Sequence, residues 1–243
     1  MQEIKEFLRN FLAVDGRICY TFLIFPFPER YPAMFSFLSP DSKFMQVLSR
    51  LTDLVVLNLL FLFTCLPVFT IGAANAAMYT LCFRMIRNRE GGIVKSYFRA
   101  FRDNFKQGTV LWLLFLFIAV PAVIYFDAYF AMDGAIRYLI VIFFLILVLA
   151  IFAAGYGFAW ISQFRNTVPE VLRNALILSL TNLPRTLCIC AVNLLPWILL
   201  AVNAAFFLKI SYLLLILYFS AAAYMNSAIL WKVFQPYYPE EIK

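Results

Sequence analysis

The side chains of this chain that could do chemistry are mainly amides placed within apolar runs. Five of them fall in or beside predicted membrane-spanning helices, and these are Asn58, Asn75, Asn193, Asn203 and Asn226. An asparagine in such a helix can hydrogen-bond to a neighbouring helix, a contact that contributes about 0.6–2 kcal/mol. Packing of this kind is one interpretation, and a polar patch that lines a path for a solute is the other.

Groups suited to catalysis are scarce in the same sequence. There is no histidine, so the commonest metal ligand and general base is missing. No two carboxylates stand at helical spacing within an apolar run, and no glycine-rich phosphate-binding loop of the Walker type is present. We therefore expect a protein that is not an enzyme and that holds no cofactor and no metal.

Four basic residues form a second set of candidate functional residues. They recur at helical spacing and are Lys95, Arg99, Arg102 and Lys106. An apolar stripe from Val94 to Phe105 runs beside them, so the segment predicts a basic amphipathic helix that lies in the membrane interface. In one interpretation the basic stripe contacts lipid headgroups, and in the other it docks a cytoplasmic or membrane partner.

The composition places these residues in a membrane protein. Hydrophobic residues make up 64% and charged residues 14% of the 243 residues, whereas soluble domains average about half and about a quarter. The net charge of +7 suits the anionic cytoplasmic leaflet of a membrane, which accounts for it more simply than nucleic acid does. We expect membrane lipids as partners and no nucleic acid.

About twenty apolar residues suffice to cross a bilayer as a helix, and the sequence predicts about five such spans. They lie at residues 51–70, 109–126, 136–160, 186–207 and 211–231. The predicted fold is an all-α, polytopic transmembrane bundle. Residues 47–235 form its single transmembrane domain, residues 1–46 an N-terminal extension with an amphipathic segment, and residues 236–243 a C-terminal tail. Pro67 interrupts the first run, so residues 51–86 form either one kinked helix or a hairpin.

The charges of the loops predict the orientation of the bundle. The connections between the first and second spans and between the third and fourth are rich in Lys and Arg, so both are expected in the cytoplasm. The later connection contains a short helix that begins near Pro169 and Glu170. Amphipathic interfacial helices would therefore lie on the cytoplasmic side. Five spans place the N-terminus outside with six Lys and Arg residues, which runs against the rule.

Aromatic residues near the predicted span ends suggest anchoring at the membrane surface. They are Trp112, Trp160, Trp231, Tyr237 and Tyr238. Tryptophan and tyrosine are enriched where the bilayer meets water, so we expect these side chains to lie in the interface and to need no binding role.

Two stretches of the chain suggest an internal duplication. The residues Asp103, Asn104, Thr109 and Pro121 have counterparts in Thr181, Asn182, Thr186 and Pro196. In each stretch an interfacial helix leads into a span with a proline near its middle. Repeats of one such unit are frequent in transport-type membrane folds, although coincidence is the alternative because the match is short.

Residues 50–80 carry a recognisable pattern: an aspartate that opens a span, an Asn-Leu-Leu motif, a proline, then Thr-Ile-Gly-Ala-Ala. The positions that match it are Asp53, Asn58, Pro67, Thr70 and Gly72. The pattern closely resembles the signature of the YesL-like family of bacterial integral membrane proteins, and the resemblance continues into residues 101–107. It implies a multi-pass protein of the bacterial cell membrane.

The resemblance also implies a biological context without a reaction. The YesL-like family is uncharacterised, and its members are commonly encoded near carbohydrate ABC importers, glycoside hydrolases and their regulators. The expected function is therefore that of an accessory or regulatory component associated with carbohydrate uptake, with ABC sugar transporter or sensor subunits as partners. The alternative is a small transporter or permease subunit that acts as a homo-oligomer.

Overall fold

The computed structural model describes residues 43–88, 91–131, 136–203 and 214–238, together with Lys209. Within these ranges the chain is helical and has no strand, so the predicted all-α fold is confirmed there. The helices are α1 Lys43–Thr64, α2 Ile71–Ile86, α3 Ile93–Ala131, α4 Ile136–Ile161, α5 Val168–Thr181, α6 Leu183–Val202 and α7 Phe219–Phe234. Short helical turns at Val68–Thr70, Leu214–Tyr218 and Gln235–Tyr237 flank α2 and α7.

Three of the helices are long and apolar enough to cross a membrane. The qualifying segments are Met45–Thr64, Ile93–Ala122 and Val141–Ile161. The pair α5–α6, which is bent by 103°, makes a fourth if it counts as one broken span. These helices indicate a membrane protein, and the count of five spans stays a prediction.

The first predicted span has different bounds in the structure, and the chain reverses direction after it. Helix α1 ends at Thr64, and the Thr70 hydroxyl donates to the carbonyl oxygens of Thr64 and Pro67, each at 2.6 Å. At the other ends of the two helices, Arg50 Nη1 donates to the Met85 carbonyl at 2.9 Å. Because α1 and α2 meet at both ends, they form a hairpin, and the single kinked helix is wrong.

Helix α3 joins two elements that the sequence predicts as separate. The basic interfacial helix and the span at 109–126 form one helix of 39 residues, about 58 Å long at 1.5 Å per residue. No proline or pair of glycines interrupts residues 93–120, and Pro121 lies inside the helix. The basic segment is therefore rigidly connected to the apolar one.

Helices α5 and α6 show a different outcome at the matching position. Helix α5 begins as predicted, since Thr167 and Glu170 form a capping box with the Thr167 N–H 2.9 Å from the Glu170 carboxylate. It ends at Thr181, and Pro184 follows with no N–H to continue the hydrogen-bond ladder. Asn104, the counterpart of Asn182, lies within unbroken α3. The internal repeat stays a prediction.

Helix α2 lies at the centre of the bundle because its side chains are small. It contacts α1, α3, α4 and α7, and Gly72, Ala73, Ala74, Ala76 and Ala77 are all buried. A Cβ built on Gly72 would overlap the Gly108 carbonyl oxygen and lie 2.6 Å from Trp112 Cβ. Small residues let helix backbones approach closely in membranes, so α2 is packed against α3 backbone to backbone.

The outer surface of the bundle is apolar. Large hydrophobic side chains are exposed along α1, α3, α4 and α6, among them Phe63, Phe117, Leu145 and Val202. Exposed apolar surface on this scale is unusual for a soluble monomer. It suits contact with lipid chains.

Candidate functional site

An apolar cavity of about 580 Å³ lies between the central helix and its neighbours. Its walls come from α1, α2, α3, α4, α6 and the first half of α7 with the turn before it, and include Met78, Phe115, Phe152, Ile189 and Ala223. A volume of this size is within the range of small-molecule sites, about 300–1,000 Å³. We name it the amide cavity because of the polar groups on its wall.

Three of the five predicted asparagines meet at this cavity. Asn226 of α7 donates from Nδ2 to Asn193 Oδ1 of α6 at 3.0 Å, and Asn75 of α2 also lines the wall. Tyr79, one turn after Asn75, places its hydroxyl 3.5 Å from Asn226 Nδ2. The fold thus gathers amides that are far apart in the sequence into one polar patch.

A second polar pair on the wall is internally satisfied. The hydroxyls of Tyr156 and Thr186 are 3.0 Å apart, and Thr186 donates to the Ser179 carbonyl at 2.7 Å. Ser179 belongs to α5 and Thr186 to α6. This pair therefore fixes the bend between α5 and α6 against α4 rather than offering a free group to the cavity.

The remaining two predicted asparagines do not join the patch. Asn58 is buried in α1, and its Oδ1 accepts from the Ser220 backbone N–H at 3.1 Å, so it ties α1 to the start of α7. Asn203 is exposed at the end of α6, where its backbone N–H donates to the Leu199 carbonyl. The Asn58 contact is of the kind that the packing interpretation describes.

An aromatic cage closes the opposite end of the same helices. Arg87, at the end of α2, lies 4.7 Å from the ring centroids of both Trp231 and Tyr238. It also donates to Gln163 Oε1 and, at 2.6 Å, to the Tyr238 hydroxyl. The guanidinium therefore connects α2, the segment after α4 and the segment after α7.

Packed rings complete the aromatic cage. Trp160 and Phe164 have centroids 4.3 Å apart, and Phe234 contacts both of them. Burial raises the pKa of the Tyr238 phenol to about 12, although the charge of Arg87 and its hydrogen bond act in the opposite direction. The phenol therefore keeps its proton, which it donates to Gln163 Oε1 at 2.9 Å.

The cage corrects part of the predicted aromatic belt. Trp160 and Tyr238 are buried, and Trp231 stacks on Arg87, so none of the three is a free interfacial anchor. Trp112 donates from Nε1 to the Val68 carbonyl at 2.8 Å. The sequence does show three aromatic residues after the last predicted span. No local pattern, however, pairs them with Arg87, which lies 144 positions before Trp231.

The four predicted basic residues share one exposed face at the start of α3. Lys95, Arg99, Arg102 and Lys106 are all exposed, and none forms an ion pair within the part of the chain that the structure describes. Their neighbour Tyr97 is buried and bonds Thr64 at 2.7 Å through its hydroxyl. We call these four residues the basic face.

The family-pattern residues have structural roles in the hairpin. Pro67 precedes the turn at Val68–Thr70, Thr70 bonds the end of α1, and Gly72 allows the contact with Gly108. Asp53 lies near the middle of α1 and not, as the predicted bounds implied, at the start of a span. Within the described ranges no group of three or more His, Cys, Asp or Glu residues is placed to hold a metal.

The fold and these sites indicate that the molecule belongs to the class of helical membrane proteins. Residues 54–128 match a family described as "Protein of unknown function, DUF624". This is the YesL-like family, so the resemblance seen in the sequence is confirmed over that stretch. No curated protein and no solved structure matches the chain. The matched residues include the second half of α1, all of α2 and the basic face.

Proposed function

We propose that this protein is a non-enzymatic component of the bacterial cell membrane that assists or regulates carbohydrate uptake by docking a partner on its basic face. The observation that carries the proposal is the exposure of four cations on one side of α3. They stand at intervals of three and four residues, which places them in line along a helix. No acidic side chain of the described residues neutralises them.

The geometry favours a docking role because the basic face is rigid. Since the segment continues into the apolar part of α3, a partner bound there is held at a defined place relative to the membrane. Complementary charge steers association and fixes register. The link to carbohydrate uptake rests on the family resemblance, and ABC sugar transporter or sensor subunits are the proposed partners.

Affinity purification in mild detergent tests this proposal. The wild-type protein should recover a transporter or sensor subunit, and the double change Arg99→Glu and Arg102→Glu should abolish recovery. Arg173→Glu is the matched control, because Arg173 is exposed on α5 and lies outside the basic face. Recovery of the protein alone from wild-type cells would count against a docking role and leave lipid contact as the function of the face.

The hairpin also supports a revised orientation in the membrane. The start of α1 meets the end of α2, and α3 begins shortly after α2 ends, so the start of α1 and the basic face belong to the same end of the bundle. We propose that this end is cytoplasmic, which removes the conflict with the six Lys and Arg residues up to Arg50. In a cysteine-free background, Asp133→Cys should react with an impermeant reagent from outside and Gly91→Cys, at the exposed connection before α3, should not, and the reverse pattern would overturn the assignment.

A second candidate function is solute transport by an oligomer, and the amide cavity is the observation that favours it. Purified protein in liposomes would then take up an oligosaccharide, with Asn193→Leu reducing the flux. Asn203→Leu serves as the control, because Asn203 does not line the cavity. No uptake above that of empty vesicles across a broad panel of sugars would remove this candidate.

A further inference from the structure

The amide cavity contains hydrogen-bonding capacity that the described residues do not use. Asn226 is 1% exposed, and its Oδ1 atom has no partner. A buried acceptor without a partner destabilises the protein by about 1–3 kcal/mol. Asn75 also lines the cavity, and its amide makes no hydrogen bond to another described residue. The Asn226 oxygen therefore requires an external partner, and the partly buried Asn75 amide lines the same space.

A hydroxyl group is the partner that suits these amides best. The nitrogen and oxygen of an Asn side chain are distinguished only by the network around them, and one end of the Asn226 amide stays unpaired in either orientation. A hydroxyl both donates and accepts, so it satisfies whichever end is free. A carboxylate or an ammonium ion matches only one of the two.

The rest of the lining excludes a charged ligand. None of the described residues that line the cavity is Lys, Arg, Asp or Glu, and a charge placed there would lose its hydration without compensation. The lining is otherwise formed mainly by aliphatic and aromatic side chains, such as Ile71, Phe61 and Leu194. The ligand is therefore neutral, with a large apolar part.

The position of the cavity indicates that the ligand enters from the bilayer. Ile151 of α4 and Leu194 of α6 line the cavity and are 38% and 48% exposed, and other exposed apolar side chains of α4 and α6 lie beside them. The apolar wall of the cavity is thus continuous with the surface that suits lipid chains. A strongly hydrated sugar has little apolar surface to bury against this wall, so it gains little free energy by entering there. A molecule with an acyl tail can bury the whole tail against the wall.

We propose that the amide cavity is a binding site for an uncharged amphiphile, in which a hydroxyl-bearing headgroup bonds Asn226 and Asn75 and an apolar tail lies against the aliphatic and aromatic wall. The proposal is independent of the basic face. It also differs from solute transport, because the occupant is a lipid-like molecule and no net passage is needed.

Binding of three probes to the full chain in phosphatidylcholine nanodiscs tests the site. The protein is extracted without detergent, and its thermal unfolding is followed while octyl glucoside, methyl glucoside or octyl sulfate is added below micellar concentrations. Octyl glucoside should raise the unfolding temperature in a saturable way. Methyl glucoside lacks the tail and octyl sulfate carries a charge, so neither should do so.

Variants then assign the binding to the cavity. Asn226→Leu should weaken octyl glucoside binding about tenfold, the loss expected for one hydrogen bond of roughly 1.4 kcal/mol. Ala222→Leu should weaken it by filling space, and Asn203→Leu should leave it unchanged. Asn75→Leu removes an amide with no partner to lose and serves as a second variant should Asn226→Leu fail to fold.

The same experiment can overturn the proposal. An equal response to octyl sulfate would show that the tail alone is recognised. A response to methyl glucoside as strong as that to octyl glucoside would identify a soluble sugar as the ligand and support transport instead. Undiminished binding in both the Asn75→Leu and Ala222→Leu variants would place the amphiphile elsewhere on the protein.

Discussion

The amide cavity and the aromatic cage lie between the same helices, yet one region is hollow and the other is filled. Helices α2, α4 and α7 contribute to both. On α2, Asn75 and Tyr79 line the cavity, and Arg87, two turns after Tyr79, belongs to the cage. On α7, Asn226 lines the cavity, and Trp231 belongs to the cage.

The difference between the two regions comes from side-chain volume and from how polar groups are satisfied. In the cage, rings surround the guanidinium, and its Nη2 donates to Gln163 and Tyr238. At the cavity, small residues and amides leave about 580 Å³ unfilled, and Asn226 keeps an unpaired oxygen. We infer that the cage holds the bundle together and that the cavity is kept open for a ligand.

The strongest test of this comparison is a change that pushes α2 out of place. In the variant Gly72→Ala, the new Cβ overlaps the Gly108 carbonyl, so we expect a loss of roughly 3 kcal/mol in the free energy of unfolding, at the upper end of overpacking effects. Denaturant unfolding in nanodiscs measures it. Gly155→Ala is the control, since its Cβ would meet only Ile189 Cγ2 at an ordinary 3.5 Å. Equal losses in both variants would contradict the close α2–α3 contact.

The aromatic cage is tested next by removing its cation. Arg87→Ala should cost about 2–3 kcal/mol of unfolding free energy, because two ring contacts and charged hydrogen bonds are lost. Arg87→Lys should recover part of it, since an ammonium keeps the charge but not the planar fork. Arg84→Ala, an exposed arginine one turn earlier, should change stability little. A loss at Arg84 as large as that at Arg87 would argue against a specific cage.

The sequence predicts the helices that surround both regions better than the side-chain contacts within them. Apolar runs locate most of the helices, and the capping residues Thr167 and Glu170 locate the start of α5. The hairpin at Pro67 was one of two alternatives, because a proline can either kink a helix or end it. The side-chain contact between Arg50 and Met85 decided it, and such a contact has no signature in the local pattern.

The candidate sites differ in the same way: residues on one helix could be grouped from the sequence, and residues from different helices could not. Residues at helical spacing on one helix, such as Lys95 and Arg99, could be grouped from the sequence, because the helix itself sets their neighbours. Asn75, Asn193 and Asn226 were each recognised as polar residues in apolar surroundings, but their meeting depends on how three helices pack. The basic segment and the apolar span were predicted as two elements, because hydropathy falls between them. They form the single helix α3 because no helix-breaking residue separates them.

The smallest expected effect is at the amides of the cavity. Asn226→Leu removes a buried acceptor that has no partner among the described residues, which is favourable, and a hydrogen bond to Asn193, which is unfavourable, so the two effects largely offset each other. We expect the unfolding free energy to change by less than about 1 kcal/mol, while binding of octyl glucoside weakens about tenfold. Thermal unfolding with and without the probe separates the two quantities. A collapse of stability comparable to that of Arg87→Ala would mean that the amides serve packing and not binding.

One pair of identical substitutions tests the central claim most directly. Ala222 lines the cavity and Ala159 is fully buried beside Trp160, outside it. Changing each to Leu adds the same volume to a hollow region and to a filled one. We predict that Ala159→Leu lowers the unfolding free energy by about 3 kcal/mol and that Ala222→Leu leaves it unchanged or raises it. Equal destabilisation by the two substitutions would show that the cavity is not open space and would contradict the account.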